Sequence, residues 1–418
     1  MGVKRWLLLL VCGLALLGLG VAALLSLVET ATWLDVLRRM RPQVLGPELL
    51  VVLFFTIGGA LVGLSIYGLN RSLISAFRHA DQGEVVEVVY RHRQRRRGPK
   101  VVAIGGGHGL NTLLRGLKDH TDNITAIVTV ADDGGSSGRL RRDLGILPPG
   151  DFRNCIAALS DAEGLVSQLF QYRFGEDTDL DGHSFGNLYL TAMTAITGSF
   201  ESALQESSRV LAVRGRVVPS TLAQVNLCAD VLVPWTMPDG TLGANESCQR
   251  VSGESNITAA GGHIERVYLE PEGVPAYPEA IKAILDADLI VAGPGSLYTS
   301  VLPNLLVPDL AQAIASASAR KVYVCNVATQ AGETEGYDVA AHVQALRRHV
   351  GPNLFRIVLA NTKFVGGRPP GAGVDWVRLS QAETLDNEVV KADLLDRQYP
   401  WRHDPVKLAQ TLMGFLDS

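Results

Sequence analysis

Residues 100–142 read KVVAIGGGHGLNTLLRGLKDHTDNITAIVTVADDGGSSGRLRR. The apolar run Val101–Ile104 leads into a glycine turn, Gly105-Gly106-Gly107-His108-Gly109, and then into the amphipathic run Leu110–Leu117. This order predicts a strand, a turn and a helix whose first backbone N–H groups face an anion. A second predicted strand, Ile124–Ala131, carries Asp132-Asp133-Gly134-Gly135-Ser136-Ser137-Gly138 to the same edge of a parallel sheet. Two such turns at neighbouring strand ends predict a crevice for a phosphorylated ligand.

The same pattern of strand, turn and helix returns in the second half of the chain. The apolar run Asp288–Ala292 precedes Gly293-Pro294-Gly295-Ser296-Leu297-Tyr298-Thr299-Ser300, and the apolar run Val322–Cys325 precedes another polar turn. Residues 213–272 are instead short, alternating and β-branched, which is typical of a small β-rich excursion. The predicted fold class is therefore α/β, a Rossmann-like, doubly wound, mostly parallel sheet with its functional residues at the carboxyl ends of the strands.

Charge and cysteine usage limit the class of protein. The chain has 418 residues and a formal net charge of −4, which divides into +7 for residues 1–100 and −11 for residues 101–418. An acidic body argues against nucleic acid as a partner. The 5 cysteines show no metal-binding spacing, which indicates free thiols in a reducing compartment.

Two apolar runs near the start of the chain, Trp6–Leu27 and Leu49–Leu69, are each long enough to cross a membrane. We therefore predict a transmembrane hairpin over residues 1–70, a basic juxtamembrane linker over 71–99 and a ligand-binding domain over 100–418. A cleaved signal peptide is the alternative for the first run. A GxxxG pattern at Gly59 and Gly63 offers a weak signal for packing the two helices, or a second copy of the chain.

The orientation follows from the basic residues beside the apolar runs. Lys and Arg exceed acidic residues before the first run and after the second, so the positive-inside rule predicts a multi-pass protein of the cytoplasmic membrane. Both termini and the 100–418 domain are expected in the cytoplasm, with loop 28–48 outside. The basic run Arg91–Arg97 either lies on anionic headgroups or is a solvated linker.

Asp132 and Asp133 are candidates for ligand contact, because carboxylates after the second strand can hold ribose hydroxyls or a divalent ion. Ser136 and Ser137 add hydroxyl groups, and Arg139 is placed to neutralise a phosphate. The alternative is that these residues only shape the turn. The glycine turn departs from the dinucleotide fingerprint G-x-G-x-x-G because its sixth position is Leu110, so a nicotinamide oxidoreductase is the weakest hypothesis.

Other polar residues next to predicted turns carry two interpretations each. His183 and Asn187 either bond the ligand or cap and buttress a helix. Gly293, Gly295 and Ser296 offer donors to a diphosphate.

Tyr298 either stacks on a base or sugar or lies in the core. Arg402 either binds phosphate or pairs with Asp404, and Asp151 is predicted to cap the helix that follows it. The patterns HExxH and GxxxxGK[ST] are absent from the sequence, which argues against the hydrolases and kinases that carry them.

Six stretches in order, GGGHGLNTLLRGLK, ITAIVTVADDGGSSGRLR, PPGDFRN, GHSFGNLYL, GPGSLYTSVLPNLLV and CNVATQAGETEGY, resemble the YvcK family of gluconeogenesis factors. That family belongs to the CofD-like superfamily, which includes 2-phospho-L-lactate transferases. The resemblance covers about residues 100–418 and implies a CofD-like fold. Its motifs add Asn154, Asn326 and Gln330 to the candidate ligand-binding residues, and the segment WRHD supports Arg402.

The resemblance implies a regulator that binds a nucleotide sugar such as UDP-N-acetylglucosamine and supports cell shape and envelope synthesis during gluconeogenic growth. It leaves open a cell-wall synthesis protein as partner, a homodimer, and Mg²⁺ accompanying the diphosphate. The alternative is a transferase that moves a phospholactyl-like group from a nucleotide diphosphate donor. Two departures stand out: His108 replaces the usual Thr of GGGTG, and many members lack the hairpin.

Overall fold

The apolar run after Lys100 forms strand β1 (Val101–Gly105) in the computed structural model, and every residue of this strand is buried. The structure describes residues 3–27, 47–77, 95, 97–175, 180–236, 242–352, 354–367, 369–371, 373–380 and 385–416. Most of the predicted outer loop 28–48 and of the basic linker 71–99 lies outside these residues. The chain divides into two units, Met1–His92 and Arg93–Ser418.

A parallel sheet of seven strands organises the second unit. The strands after β1 are β2 (Ile124–Val128), β3 (Arg216–Pro219), β4 (Asn226–Thr236), β5 (Leu242–Ser252), β6 (His263–Glu270), β7 (Leu289–Ala292), β8 (Arg320–Val324), β9 (Ile357–Asn361) and β10 (Glu388–Ala392). The order across the sheet is β10-β9-β8-β7-β1-β2-β3, with every neighbouring pair parallel. The order reverses between β1 and β7, which is where doubly wound sheets place their ligands.

Helices connect the strands and cover the sheet. Those described are α1 (Val3–Leu27), α2 (Pro47–Phe77), α3 (Gly107–Leu117), α4 (Gly135–Leu144), α5 (Gly150–Leu159), α6 (Glu163–Gln171), α7 (Phe185–Thr197), α8 (Phe200–Val210), α9 (Glu254–Ala259), α10 (Pro278–Leu285), α11 (Leu302–Leu305), α12 (Pro308–Ser316), α13 (Val339–Val350) and α14 (Pro405–Gly414). A π-helical turn, Leu297–Val301, precedes α11. Helix α3 buries one apolar face that includes Leu110, Leu113 and Leu117.

The predicted fold class is confirmed, with local corrections. Strand β2 ends at Val128 instead of Ala131, because the Thr129 hydroxyl accepts the Ala131 N–H at 3.2 Å and turns the chain. The β-rich excursion is an antiparallel sheet in the order β5-β4-β6 that begins at Asn226. Residues 216–219, predicted to belong to it, form β3 of the main sheet.

Two long apolar helices form the described part of the first unit. Arg5–Leu25 in α1 and Leu49–Asn70 in α2 are long and apolar enough to cross a membrane, judged by length and composition. The helices approach each other at Gly13, where a Cβ atom would lie 3.1 Å from the Gly58 carbonyl oxygen. Gly59 and Gly63 meet nothing within 4 Å, so the GxxxG pattern is not the contact between these helices.

Candidate functional site

A cavity of about 570 Å³ opens at the carboxyl ends of β1, β7 and β8, beside the point where the strand order reverses. Its volume is in the range of small-molecule sites. Three turns, a short segment before α14 and a few single residues supply the wall. The lining residues are Gly106, Gly107, His108, Gly109, Thr112, Glu254, Pro294, Gly295, Ser296, Ser300, Asn326, Val327, Ala328, Thr329, Gln330, Ala331, Pro370, Val374, Trp401, Arg402 and His403.

The N-terminus of α3 forms one wall of the cavity. Gly106 is the N-cap in an extended conformation and has no side chain to cap the helix, whereas Asp151 accepts the N–H of Gly107, the first helical residue. The first turn of a helix offers unpaired N–H groups and the positive end of the helix dipole. A Cβ atom at Gly109 would overlap the Pro294 carbonyl, so only glycine lets the two turns approach this closely.

A hydrogen-bond network fixes the turn after β7. Asn326 accepts the Gly295 N–H at 3.1 Å and donates to the Gly295 carbonyl oxygen at 2.8 Å. Gln330 donates to the Ser296 hydroxyl at 2.6 Å. The candidates Asn326, Gln330, Gly295 and Ser296 therefore lie together on the cavity wall, with their relative positions set by one another.

Positive charge gathers around the α3 end of the cavity. Arg402 lines the cavity, its guanidinium group lies 5.6 Å from the centre of the Tyr399 ring, and no described acidic residue forms an ion pair with it. The alternative of an Arg402–Asp404 pair is wrong, because Asp404 instead caps α14 by accepting the N–H groups of Val406 and Lys407. Burial lowers the pKa of His108 most, and the positive charges of Arg402 and of two further arginines lower it further.

The turn after β2 forms a cluster of hydrogen-bonded side chains next to the cavity. None of the described residues of this turn lines the cavity. The Ser136 hydroxyl lies 2.9 Å from His183 Nδ1 and accepts a hydrogen bond from Asn187 at 3.0 Å. Asn187 also donates to the Ser137 hydroxyl at 3.4 Å. His183 and Asn187 thus buttress the turn, which is one of the two interpretations offered by the sequence.

The remaining candidates of this group are also engaged by the protein. Arg139 donates to the Asp181 carbonyl oxygen at 2.7 Å, and Asn154 accepts from Gln171 at 2.8 Å. Gly134 and Gly135 cap and begin α4. The structure brings none of these residues into the cavity wall.

Asp132 and Asp133 accept hydrogen bonds from neighbouring residues of the protein. Asp132 accepts the Gly134 N–H at 2.9 Å, and Asp133 accepts both the N–H and the hydroxyl of Ser255 at 3.1 Å. In the part of the chain that the structure describes, no group of three or more His, Cys, Asp or Glu residues is arranged to hold a metal ion. Mg²⁺ is commonly held by one or two carboxylates together with phosphate oxygens of a ligand, so the Mg²⁺ site at Asp132 and Asp133 stays a prediction.

Two acidic residues near the cavity were not among the predicted contacts. Glu254 begins α9 and lines the cavity; burial, followed by the charge of Asp132, raises its pKa to about 9. Asp151 was predicted to cap α5, but that helix begins at Gly150, and Asp151 instead accepts the Gly107 N–H. Burial and Asp132 raise the pKa of Asp151 to about 7. The polar segments GES and PPGD carry these residues, but nothing in their pattern distinguishes them from ordinary turns.

Tyr298 belongs to the core and has no exposed surface. Its hydroxyl lies 2.9 Å from the Tyr337 hydroxyl and donates to the Ile264 carbonyl oxygen at 3.4 Å. The hypothesis that Tyr298 stacks on a base or sugar is therefore wrong. Gly105 and Gly293 are also absent from the cavity wall; they end β1 and begin the turn after β7.

These features define a doubly wound α/β protein with a cavity at the reversal of its strand order. The chain belongs to the CofD family, since the family profile described as "2-phospho-L-lactate transferase CofD" matches residues 101–416. It is 47% identical over 331 residues to the gluconeogenesis factor of Bacillus subtilis, covering 76% of this chain and 98% of that one. A Nostoc sp. relative is 46% identical over 433 residues, covering 99% of this chain and 90% of its own.

The fold also has a solved relative. The crystal structure of a UPF0052 family member from Bacillus halodurans matches with a TM-score of 0.66 and 44% identity, covering 76% of this chain and 99% of that chain. The predicted resemblance and fold class are both confirmed.

Proposed function

We propose that this protein binds a nucleotide sugar of the UDP-N-acetylglucosamine type in the cavity at the ends of β1, β7 and β8. One observation carries the proposal: the N-terminus of α3 lines the same cavity as the guanidinium group of Arg402, which has no ion-pair partner among the described residues. Backbone N–H groups at a helix start and a forked guanidinium group both suit a diphosphate.

The walls divide by chemistry. His108, Gly109 and Arg402 supply donors and positive charge, which suit the diphosphate. Ser296, Asn326 and Gln330 supply uncharged polar groups, which suit hydroxyls and amides of the sugar or nucleoside. A site with few charged groups and several neutral ones favours a nucleotide sugar over a free polyphosphate.

Calorimetry of the full chain in detergent micelles tests this binding. We expect UDP-N-acetylglucosamine to bind to the wild-type chain with a stoichiometry of one. Absence of heat at millimolar ligand, in a sample that melts cooperatively, would remove the proposal.

In the cell, we propose a regulatory role in which occupancy of the cavity couples precursor level to envelope synthesis and cell shape. The relative from Bacillus subtilis is named a gluconeogenesis factor, which supports a requirement during growth on gluconeogenic carbon. Expression of this chain in a Bacillus subtilis strain lacking that factor tests the role. Restored growth and rod shape on a gluconeogenic carbon source support it, and unchanged defects with normal expression contradict it.

The family profile favours a second candidate, transfer of a phospholactyl-like group from a nucleotide diphosphate donor, because it is named for a 2-phospho-L-lactate transferase. The test supplies guanylyl-activated phospholactate, a deazaflavin acceptor and Mg²⁺. Release of nucleoside monophosphate, followed by phosphorus NMR, would establish turnover. If the donor stays intact at every metal concentration, the transferase candidate is refuted and only the proposed ligand binding stands.

We further propose that α1 and α2 anchor the protein in the cytoplasmic membrane with the second unit in the cytoplasm. The length and apolar composition of both helices support this placement. Fractionation tests it: the full chain is expected in the membrane pellet after a carbonate wash, and a chain lacking residues 1–92 in the supernatant.

A further inference from the structure

Trp401 lies on the cavity wall immediately before Arg402 in the sequence, and its side chain is partly exposed. The ring of Tyr399 packs edge-on against the Trp401 ring, with 5.7 Å between the ring centres and 75° between the planes. The guanidinium group of Arg402 lies 5.6 Å from the centre of the same Tyr399 ring. Tyr399 therefore supports two neighbouring side chains that both line the cavity.

The backbone around Trp401 is fixed by hydrogen bonds. The Arg402 N–H donates to the Tyr399 carbonyl oxygen at 2.8 Å, and the Arg402 carbonyl oxygen accepts the Asp396 N–H at 3.1 Å. Trp401 also packs against a small hydrophobic cluster formed by Val327, Trp376 and Leu395. The fold thus holds the indole ring, and a ligand in the cavity meets it in a set position.

Trp401 belongs to an apolar part of the cavity wall. Ala328 packs against the same cluster as Trp401 and forms an antiparallel bridge with Trp376, two positions after Val374. We call the cavity-lining members of this group the apolar wall, which consists of Val327, Ala328, Val374 and Trp401.

The apolar wall and the polar residues of the cavity suit different parts of a nucleotide sugar. Ser296, Asn326 and Gln330 offer hydroxyl and amide groups to the sugar, whereas the aliphatic side chains of the apolar wall offer none. Hydroxyl groups that lose water without gaining a partner cost free energy. A nucleobase instead has two flat π faces, which stack on aromatic side chains. The base is therefore the part of the ligand that fits beside Trp401.

We propose that the indole ring of Trp401 stacks on the nucleobase of the bound nucleotide sugar, and that the apolar wall is the base subsite of the cavity. This inference rests on the proposed binding of a nucleotide sugar. Arg402 then holds the diphosphate next to the stacked base, and Tyr399 positions both contacts. Since every base has a π face, the stack distinguishes nucleoside diphosphates from diphosphates that lack a base.

The matched control is Tyr268 in β6, a second partly exposed aromatic residue. The guanidinium group of Arg266 lies 5.1 Å from the centre of its ring, as Arg402 lies close to Tyr399. Tyr268 is absent from the cavity wall, so it shares the surroundings of the proposed stacking residue without its position.

The test is calorimetry of the full chain in detergent micelles with UDP-N-acetylglucosamine and with inorganic pyrophosphate. Trp401→Leu removes the aromatic face, Trp401→Phe keeps a smaller one, and Tyr268→Leu is the control. We expect Trp401→Leu to weaken the nucleotide sugar about tenfold and Trp401→Phe to stay within about threefold of wild type. Tyr268→Leu should bind as wild type. Pyrophosphate should bind equally to all four proteins, which shows that the cavity is formed in each.

A ligand analogue keeps the test independent of the folding of any variant. Replacing uracil by dihydrouracil in UDP-N-acetylglucosamine saturates one ring bond and removes the flat π face, while the carbonyl and N–H groups remain. On the wild-type chain this analogue should bind about tenfold more weakly than UDP-N-acetylglucosamine. In Trp401→Leu the two ligands should bind equally, because the stack that distinguishes them is gone.

Several results would overturn the assignment. These are equal binding of the two ligands to wild type, an unchanged affinity in Trp401→Leu, and the same loss for the dihydrouracil ligand in wild type and in Trp401→Leu. A Trp401→Leu chain that binds UDP as wild type but UDP-N-acetylglucosamine more weakly would place the ring against the sugar and also overturn it. Failure of wild type to bind UDP-N-acetylglucosamine would instead refute the proposed function and the assignment together.

Discussion

Gly109 and Pro294 are in contact: the first turn of α3 lies so close to the Pro294 carbonyl that a Cβ atom at residue 109 would overlap its oxygen. Two turns that are 185 positions apart in the sequence meet at this point, and both line the cavity. The contact joins the wall after β1 to the wall after β7. Its geometry therefore determines the shape of the site.

Gly109→Ala should separate these two turns, because the neighbouring atoms belong to the backbone and cannot rotate away. We expect a loss of stability of about 1–3 kcal/mol, as for other overpacked sites, together with weaker binding of the nucleotide sugar. Gly164→Ala is the control, since Gly164 lies in α6 with nothing within 4 Å of its Cβ position. Alanine there should raise the melting temperature slightly through helix propensity. Equal melting temperatures of the two variants would contradict the contact.

Arg402→Ala should weaken binding of the nucleotide sugar by about ten- to a hundredfold. This factor corresponds to the free energy of a hydrogen bond to a charged group. The affinity of Arg402→Lys should lie between those of wild type and Arg402→Ala, because lysine keeps the positive charge but lacks the forked guanidinium group. Calorimetry at two salt concentrations measures both effects, and the salt dependence should be smaller in the alanine variant. Arg397→Ala changes an exposed arginine that does not line the cavity and should bind as wild type.

Binding should strengthen as the pH falls through the range in which His108 titrates. Burial and the nearby Arg402 hold the pKa of His108 below 6.5 in the free protein, and a bound anion raises it. The complex therefore binds a proton that the free protein lacks, and lower pH favours it. Calorimetry between pH 7 and pH 5.5, in buffers of different ionisation heat, measures this uptake. His108→Thr should abolish it, and an unchanged pH slope in that variant would assign the proton to another group.

Glu254 should make the folded state less stable as the pH rises. Burial, followed by the charges of Asp132 and Asp151, raises its pKa from 4.5 to about 9, so folding takes up a proton between these values. Stability then falls with rising pH over this window, by at most about 1.4 kcal/mol per pH unit. Glu254→Gln resembles the protonated form and should melt higher than wild type at pH 8 but not at pH 4.5.

The control for this pH effect is Glu272→Gln, an exposed position. Asp151, with its pKa raised from 3.8 to about 7, acts in the same direction at lower pH and should remain in both variants. A melting temperature at pH 8 that is unchanged by Glu254→Gln would show that Glu254 is ionised in the folded protein.

The sequence predicts the central sheet well because its strands are apolar runs that end in glycine or polar turns. β1, β2, β7 and β8 have this pattern, and each is buried over most of its length. Strand β10 was not predicted because it is a partly exposed edge strand with Glu388 and Lys391 among its five residues. Its pairing with β9 supplies the information that the local sequence lacks.

The site is predicted less completely because proximity along an edge does not say which side chains are already paired. Gly107, His108, Gly109 and Arg402 lie on the cavity wall as expected. Ser136 and Asn187 were candidates of the same kind, yet they bond each other.

Tyr298 and His403 show the same limit of sequence-based prediction in opposite ways. Tyr298 follows a glycine turn but is buried in the core, whereas His403 reaches the cavity through the fold of the segment before α14. Only the packing decides between such cases, since both residues are polar aromatics next to turns.

The cavity takes its walls from Gly106 to His403, and Gly116 of α3 lies against Ala409 of α14. During translation, the early strands and turns leave the ribosome long before the segment that carries Arg402. A nascent or truncated chain that ends before this segment therefore lacks part of the cavity wall, including Arg402, and we expect it not to bind the proposed ligand. If the proposed function holds, only a chain that extends through Arg402 can bind the nucleotide sugar.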